Sequence, residues 1–368
     1  MSASEALRPK AGPRPPKRSR GARNQVVVFF NLIFSAAFFV ALIAVAGALW
    51  GRSEFNGPGP LATQATYVVP RNSSVESIAN GLERGGIVSD SRVFEYGVRI
   101  SGRAGDLKAG EYGFTPGTSM YDVMEKLSTG SSILHSVAVP EGWTVKQIFD
   151  RVAGEEMLTG ELPPMPPEGT LRPDTYRVQR GLTRAELIAQ MRAAQTKLVE
   201  EIWARRDRDI PVTDVGQFLT LASIVEKETG RADERSRVAS VFMNRLSQGM
   251  RLQSDPTIIY GVWGGAGKPP NEPIRQSHIR SETAYNTYVI NGLPPGPIAN
   301  PGRAALEAVA NPSTTEDVYF VADGTGGHVF ATTLDEHNAN VRRYREIERQ
   351  RAATAGAEVD PEDPVVAQ

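Results

Sequence analysis

The run from Val26 to Trp50 constrains this chain more than any other stretch: 25 residues without a charged side chain, rich in Phe, Val, Ile and Ala. As a helix it is about 37 Å long at ~1.5 Å per residue, enough to cross a ~30 Å hydrocarbon core with some tilt. Asn31 and Ser35 are its main polar interruptions. The 24 residues near the start hold seven Lys/Arg against a single Glu. The positive-inside rule keeps such a basic arm in the cytoplasm, so the chain after Gly51 is expected outside the inner membrane. Ala46-Gly47-Ala48 leaves cleavage open, but the length of the run favours a retained single-pass anchor over a signal peptide.

Composition narrows the chemistry that the remainder can perform. There are no cysteines, which removes disulfides, thiolate catalysis and cysteine-rich zinc sites. The four histidines (His135, His278, His328, His337) show no HExxH or other ligand spacing, so neither a metal nor another cofactor is expected. A net charge of −1 gives no global field for nucleic acid and suits a neutral or charge-balanced substrate.

Ser53 to Ala65, with Asn-Gly-Pro-Gly-Pro inside it, reads as a short linker. Tyr67-Val-Val then reads as a strand, Ser74 to Glu83 as an amphipathic helix and Ser91 to Ile100 as a second helix. Leu107 to Phe114 returns as a strand, and Thr118 to Leu127 is a third helix. This β-α-α-β order resembles LysM-type glycan-binding modules; by pattern alone a small spacer without a ligand fits equally well. The cadence then recurs. Val69-Pro-Arg-Asn-Ser-Ser-Val-Glu-Ser-Ile and Val139-Pro-Glu-Gly-Trp-Thr-Val-Lys-Gln-Ile share strand, proline, polar turn and helix, a weak internal repeat. Pro163 to Pro167 is a rigid loop or boundary, and Leu182 to Ala204 a long helix.

Leu219-Thr-Leu-Ala-Ser-Ile-Val-Glu-Lys-Glu-Thr-Gly230 is an apolar helix that ends in two acids and a glycine. Asp214 suits its N-cap, with Gln217 completing a capping box and Gly230 at C′. Phe218, Ala222 and Val225 share its buried face, which puts Glu226 and Glu228 on opposite flanks of the last turn. There the macrodipole and a partly dry wall both disfavour ionisation, as a general acid near neutral pH requires. Pattern alone does not choose between the two acids, and a solvated helix end paired to Lys227 or Arg231 fits it too.

A second helix, about Asp233 to Ser247, presents Val238, Val241, Phe242 and Leu246. Beyond it the chain reads as loop-rich and polar-aromatic, the material of a sugar-binding cleft or of ordinary surface loops. Tyr319 to Asp323 and His328-Val-Phe read as a hairpin across a Gly324–Gly327 turn, and His337 to Arg351 as a closing charged helix.

Five words carry a resemblance: Leu221-Ala-Ser-Ile-Val-Glu-Lys-Glu-Thr, Leu252-Gln-Ser-Asp-Pro-Thr-Ile-Ile-Tyr-Gly, Tyr285-Asn-Thr-Tyr, Gly292-Leu-Pro-Pro-Gly-Pro-Ile and Tyr319-Phe-Val-Ala-Asp-Gly. In that order, from about Gln25 to Arg351, the chain resembles the MltG (YceG-like) family of endolytic murein transglycosylases. It departs from the family at Leu171-Arg172, where a Leu-Phe pair usually precedes Pro173-Asp-Thr-Tyr. The resemblance implies cleavage of the β-1,4 bond between N-acetylmuramic acid and N-acetylglucosamine within nascent peptidoglycan strands, leaving a 1,6-anhydro end. It places the catalytic acid/base on Glu228, with Glu226 the runner-up. Gln253, Asp255, Tyr260, Tyr285, Asn286 and Tyr288 are the candidates for cleft lining.

The expected fold is α+β: an N-terminal single transmembrane helix, a small LysM-like α+β module and a C-terminal mixed α/β catalytic domain. Its divisions are a basic arm (1–24), the span (25–51), a linker (52–65), the LysM-like module (66–132), the catalytic region (133–351) and a disordered tail (352–368). The expected partners are peptidoglycan strands, the lipid bilayer and, by the resemblance, peptidoglycan synthases or divisome and elongasome proteins. Two rivals stand beside this reading. One is a hydrolase (muramidase) pairing Glu228 with Glu226 or Asp255, and the other a membrane-anchored glycan-binding scaffold without turnover.

Overall fold

The computed structural model describes residue 12 and residues 25–355. The basic arm expected over 1–24, apart from Gly12, and the tail beyond 355 lie outside the described residues. The first half runs α1 (Gln25–Asn56), β1 (Ala65–Val69), α2 (Val75–Arg84), α3 (Ser91–Ile100), β2 (Gly110–Phe114), α4 (Met120–Thr129), β3 (Leu134–Ala138) and α5 (Val145–Ala153). The second half runs β4 (Thr175–Gln179), α6 (Arg184–Ala204), α7 (Val215–Glu228), α8 (Arg235–Ser247), α9 (Asp255–Trp263), α10 (Gln276–Ile279), α11 (Arg303–Ala310), β5 (Tyr319–Ala322), β6 (His328–Ala331) and α12 (Leu334–Ala355). The strands form three two-stranded sheets, β1 with β2, β3 with β4 and β5 with β6, so the fold is mixed and dominated by helices.

The chain divides into two compact units. The first comprises residues up to 65 together with 74–107 and 114–129. Its α1 is long and apolar enough to cross a membrane, and every residue from Val26 to Trp50 is exposed. The helix does not stop where the linker was expected. Nothing in Arg52 to Asn56 breaks it, and it ends only before Gly57-Pro58, where proline disfavours a helical predecessor. Phe55 is consequently buried in this unit, 6.4 Å from the rings of both Phe94 and Tyr121. Gly97 permits the fit: a Cβ there would run into the Phe55 ring. Asp90 caps α3 by accepting the N–H groups of Arg92 and Val93.

The second unit comprises 66–73, 108–113 and everything from 130 on. In its first core Val137, Val178, Ile148, Phe149, Leu187 and Met191 pack between the antiparallel β3–β4 pair, α5 and α6. In its second core Phe218, Leu221, Ala222 and Val225 of α7 meet Val238 and Phe242 of α8, Leu306 and Val309 of α11, and Phe320 of β5.

The repeat read from sequence exists in the backbone. Asn72 and Gly142 both take positive φ (60° and 74°) in the turn after each proline. Two residues later Ser74 and Thr144 each cap a helix by accepting an N–H from Ser77 and Gln147. Asp214 caps α7 by accepting the Gln217 N–H at 2.8 Å, but the Gln217 side-chain Oε1 accepts the N–H of Thr213 instead of that of Asp214, so the expected capping box does not close. Nor does Gly230 provide a left-handed cap; the helix leaves through Thr229 in extended conformation (φ −140°, ψ 130°). Residues Thr220 to Val225 are all buried, so α7 is enclosed on every side over that stretch rather than along one stripe.

The stretch expected to be loop-rich contains α9, α10 and α11 and buries Leu252, Ile258, Ile298, Leu306 and Val309. The hairpin is present, with Phe320 opposite Phe330. The closing helix starts at Leu334 and runs to Ala355, longer at both ends than expected. At the Leu171-Arg172 departure, Leu171 is buried and the Arg172 guanidinium reaches Asp174 at 3.2 Å.

Candidate active site

The last turn of α7 sends its two acids to different neighbours. Glu228 is buried, and its Oε1 accepts a hydrogen bond from the Ser254 hydroxyl. Burial is the main cause that pushes its pKa up to about 7; the negative charge of neighbouring Asp255 adds to the rise, while Ser254 and the Arg245 guanidinium oppose it. Glu226 is half-buried and accepts the Gly302 N–H at 2.9 Å. Burial raises its pKa as well, with the charge of Glu141 adding to the rise and Gly302 opposing it.

The segment facing Glu228 is positioned by a compact hydroxyl network. Ser254 donates its N–H to Thr287 Oγ1 at 2.9 Å, and Thr257 Oγ1 donates to the Ser254 carbonyl at 2.6 Å. The hydroxyls of Thr257 and Thr287 are 2.8 Å apart, and both residues are fully buried. Gln253 takes φ +52° at the entry to this turn and gives its N–H to the Thr287 carbonyl at 3.2 Å. Asp255 begins α9 with Pro256 behind it, a residue suited to a first turn because it has no N–H to lose. The Tyr288 hydroxyl donates to Asp255 Oδ1 at 2.8 Å. Burial pushes the Asp255 carboxyl up to about 6, against that hydrogen bond.

Arg245 braces the same region from α8. Its Nη1 donates to the Leu252 carbonyl and its Nε to the Val318 carbonyl, both at 2.6 Å. The guanidinium therefore sits near Glu228 while its own donors hold the backbone on either side. Glu228, Ser254, Asp255 and Arg245 are buried and, with half-buried Tyr288, form one polar cluster.

Tyr260 and Tyr285, two further sequence candidates, stand apart from that cluster as a ring pair 4.8 Å apart. Between them and α5 lies an acid that sequence reasoning passed over, Glu168. Its Oε2 accepts the Val145 N–H at 2.8 Å, and it also bonds the Tyr260 side chain. Burial pushes its pKa up to about 7, against those two hydrogen bonds. It follows the proline-rich loop, and no local motif marks it; only the fold brings it to the tyrosines. Ser254 and Arg245 were also missed, although Ser254 lies inside the Gln-Ser-Asp-Pro word itself.

Asn286 is fully buried. Its amide donates to the carbonyls of Ile279 (2.9 Å) and Ser281 (2.7 Å), and its Oδ1 accepts the Tyr288 N–H at 3.0 Å. Its hydrogen bonds organise the loop that delivers Thr287 and Tyr288.

With this geometry in hand, the chain can be set beside known proteins. The profile of the YceG-like family matches residues 67–343. An endolytic murein transglycosylase of Bacillus subtilis is 31% identical over 313 residues, covering 77% of this chain and 85% of that protein. An enzyme of the same name from Streptococcus pneumoniae serotype 2 is 29% identical over 362 residues, covering 85% of this chain and 65% of its own length. A crystal structure of a yceG-like protein from Listeria monocytogenes aligns with a TM-score of 0.47 at 29% identity, over 76% of this chain and 99% of that one. These relatives define an enzyme class, the lytic transglycosylases. Within it, the chain belongs to the YceG-like family.

Proposed function

We propose that this protein is an endolytic peptidoglycan lytic transglycosylase that cuts the β-1,4 bond between N-acetylmuramic acid and N-acetylglucosamine, with Glu228 as its acid/base. The observation that carries this reading is the placement of Glu228, a carboxyl buried at the end of α7 against the Ser254 hydroxyl and pushed by that burial up to about 7, in a family whose named members are murein transglycosylases. Near neutral pH a substantial fraction of it carries a proton to give.

The chemistry balances with one carboxyl. Glu228 transfers its proton to the glycosidic oxygen as the bond to C1 of the muramic acid breaks. The resulting carboxylate takes the proton of that sugar's C6 hydroxyl, whose oxygen closes on C1. The products are a free 4-hydroxyl and a 1,6-anhydro end, and Glu228 returns protonated without consumption of water. The Ser254 hydrogen bond favours the carboxylate form and so assists the first half of the step, in which the proton is given up. Arg245 stabilises the same charge.

In this reading α1 anchors the enzyme in the inner membrane with its N-terminus cytoplasmic and its catalytic unit periplasmic, beside newly made strands. The β-α-α-β module binds glycan there, and the cut ends strand elongation. Peptidoglycan synthases are the partners that such a placement suits.

The neighbouring Asp255 favours a second reading, hydrolysis, because it supplies a second buried carboxyl beside Glu228. Mass analysis of glycan ends after digestion of purified sacculi separates the two. Anhydro ends are expected; reducing ends in their place would make the protein a muramidase.

A further inference from the structure

The apolar helix α1 runs without a break into the first compact unit, where Phe55 packs against α3 and α4, and this fixes the depth of that unit's surface. Trp50 ends the apolar run, and Phe55 follows five residues later in the same unbroken helix. Five residues advance about 7.5 Å along the axis. The headgroup layer on each side of a hydrocarbon core is roughly 5–7.5 Å thick. Phe55, and Gly97 pressed against its ring, therefore sit at the level where headgroups meet water.

The side chains at that level suit it. In this unit, among the described residues outside α1, the exposed large hydrophobic side chains are Tyr96 (63%), Ile100 (86%) and Tyr121 (45%). All three stand on α3 or α4, the helices that enclose Phe55. Tyr96 and Ile100 lie one turn apart, on the flank of α3 beside the Gly97 stripe. Exposed Arg92 and Arg99 stand on α3 with them, Arg99 paired to Glu95 at 2.6 Å, and Arg52 is exposed near the end of α1. Tyrosine and arginine around an apolar tip are the composition of a membrane-interface anchor, since each has an apolar body and a polar end. A surface meant for bulk water gains nothing from Ile100.

We propose that α3 and the start of α4 lie on the outer face of the bilayer that α1 crosses, with Tyr96, Ile100 and Tyr121 immersed in its headgroup layer. The occupant of this surface is lipid, and α1 delivers it there. The inference rests on the reading of α1 as a membrane span. Its consequence is that the module does not swing on a tether but is held against the membrane in one orientation.

The chain has no cysteine of its own, so single labels are unambiguous. Tyr96→Cys, Ile100→Cys, Leu42→Cys in the span and Glu316→Cys as an exposed reference each receive a nitroxide label. The full chain is reconstituted in vesicles of phosphatidylethanolamine and phosphatidylglycerol, and collisions with oxygen and with a water-soluble nickel chelate are measured. Labels at 96 and 100 are expected to show nickel accessibility severalfold below that at 316, with raised oxygen accessibility, between the values at 316 and 42. Equal nickel accessibility at 96, 100 and 316, with a lipid-like signal at 42, would overturn the inference and leave the anchor intact. A water-like signal at 42 would remove the anchor reading and the inference with it. Both labelled positions of α3 are exposed, and melting curves verify that the fold is unchanged.

Discussion

The Ser254 hydroxyl donates directly to Oε1 of Glu228 at the buried end of α7. This contact joins the more enclosed of the two acids of α7 to a turn built by Thr257, Thr287 and Tyr288. It opposes the burial that raises the Glu228 pKa, and its removal has a calculable sign.

With Glu228 held up to about 7, kcat/KM for glycan cleavage is expected to be flat below that pH and to fall about tenfold per pH unit well above it, as the proton donor is lost. Ser254→Ala removes a donor that favours the carboxylate, so the alkaline limb moves to higher pH. The rate drops roughly 10–100-fold as a hydrogen bond to a charged group is lost. Asp255→Asn removes a negative neighbour, so the limb moves to lower pH. Shifts of the same sign in both variants would break the proposed link between these three residues.

Stability carries the same signature. A carboxyl whose folded pKa is above its unfolded value of about 4.3 contributes to stability at low pH and loses that contribution as pH rises toward about 7. Glu228→Gln removes the burden of a buried charge that exists only at the upper end. Its unfolding free energy relative to wild type is therefore expected to be higher at pH 8 than at pH 5, by an amount bounded at roughly 3 kcal/mol. An identical difference at both pH values would mean that Glu228 is not held protonated in the fold.

Glu168→Gln keeps an acceptor for the Val145 N–H and removes the charge beside the Tyr260–Tyr285 ring pair. Paired tyrosine rings next to a carboxyl suit a sugar ring, so the variant is expected to raise KM more than it lowers kcat on soluble glycan chains. A collapse of kcat with KM unchanged would move Glu168 from binding to chemistry.

Gly97→Val places a branched side chain against the Phe55 ring. Overpacking costs about 1–3 kcal/mol. Relief of a mid-helix glycine returns less than about 1 kcal/mol, because valine is only a moderate helix former. The full chain in detergent is expected to melt earlier and to become cleavable by protease near residues 53–60. Unchanged melting and protection would show that the end of α1 is not packed as described.

Features set by near neighbours were legible in the sequence. The apolar run, the Asp214 cap, the hairpin at Tyr319 and the repeated turn at Asn72 and Gly142 each depend on a few adjacent residues. The acids were legible as a pair but not as individuals, because only the distant Ser254 and Gly302 show which neighbour each one meets. α9 and α11 were hidden for a different reason. Their short lengths, 9 and 8 residues, offer too few turns for a period to show, and they are stabilised by packing rather than propensity. Glu168 had no local signal at all, and Asn286 looked like a sugar ligand because a buried loop-holding asparagine and a cleft asparagine are the same letter. The helical continuation to Phe55 was masked by the Gly-Pro pattern just beyond it.

The most direct measurement of the central claim is anhydro-product formation by Glu228→Gln and Glu226→Gln, with melting checked alongside. Gln retains nearly the volume of Glu but has no proton to transfer, and general acid–base catalysis contributes about 10²–10⁴-fold. Folded Glu228→Gln is expected to give no detectable anhydro ends, while Glu226→Gln, whose amide oxygen still accepts the Gly302 N–H, remains active. A folded, active Glu228→Gln beside an inactive Glu226→Gln would contradict the assignment.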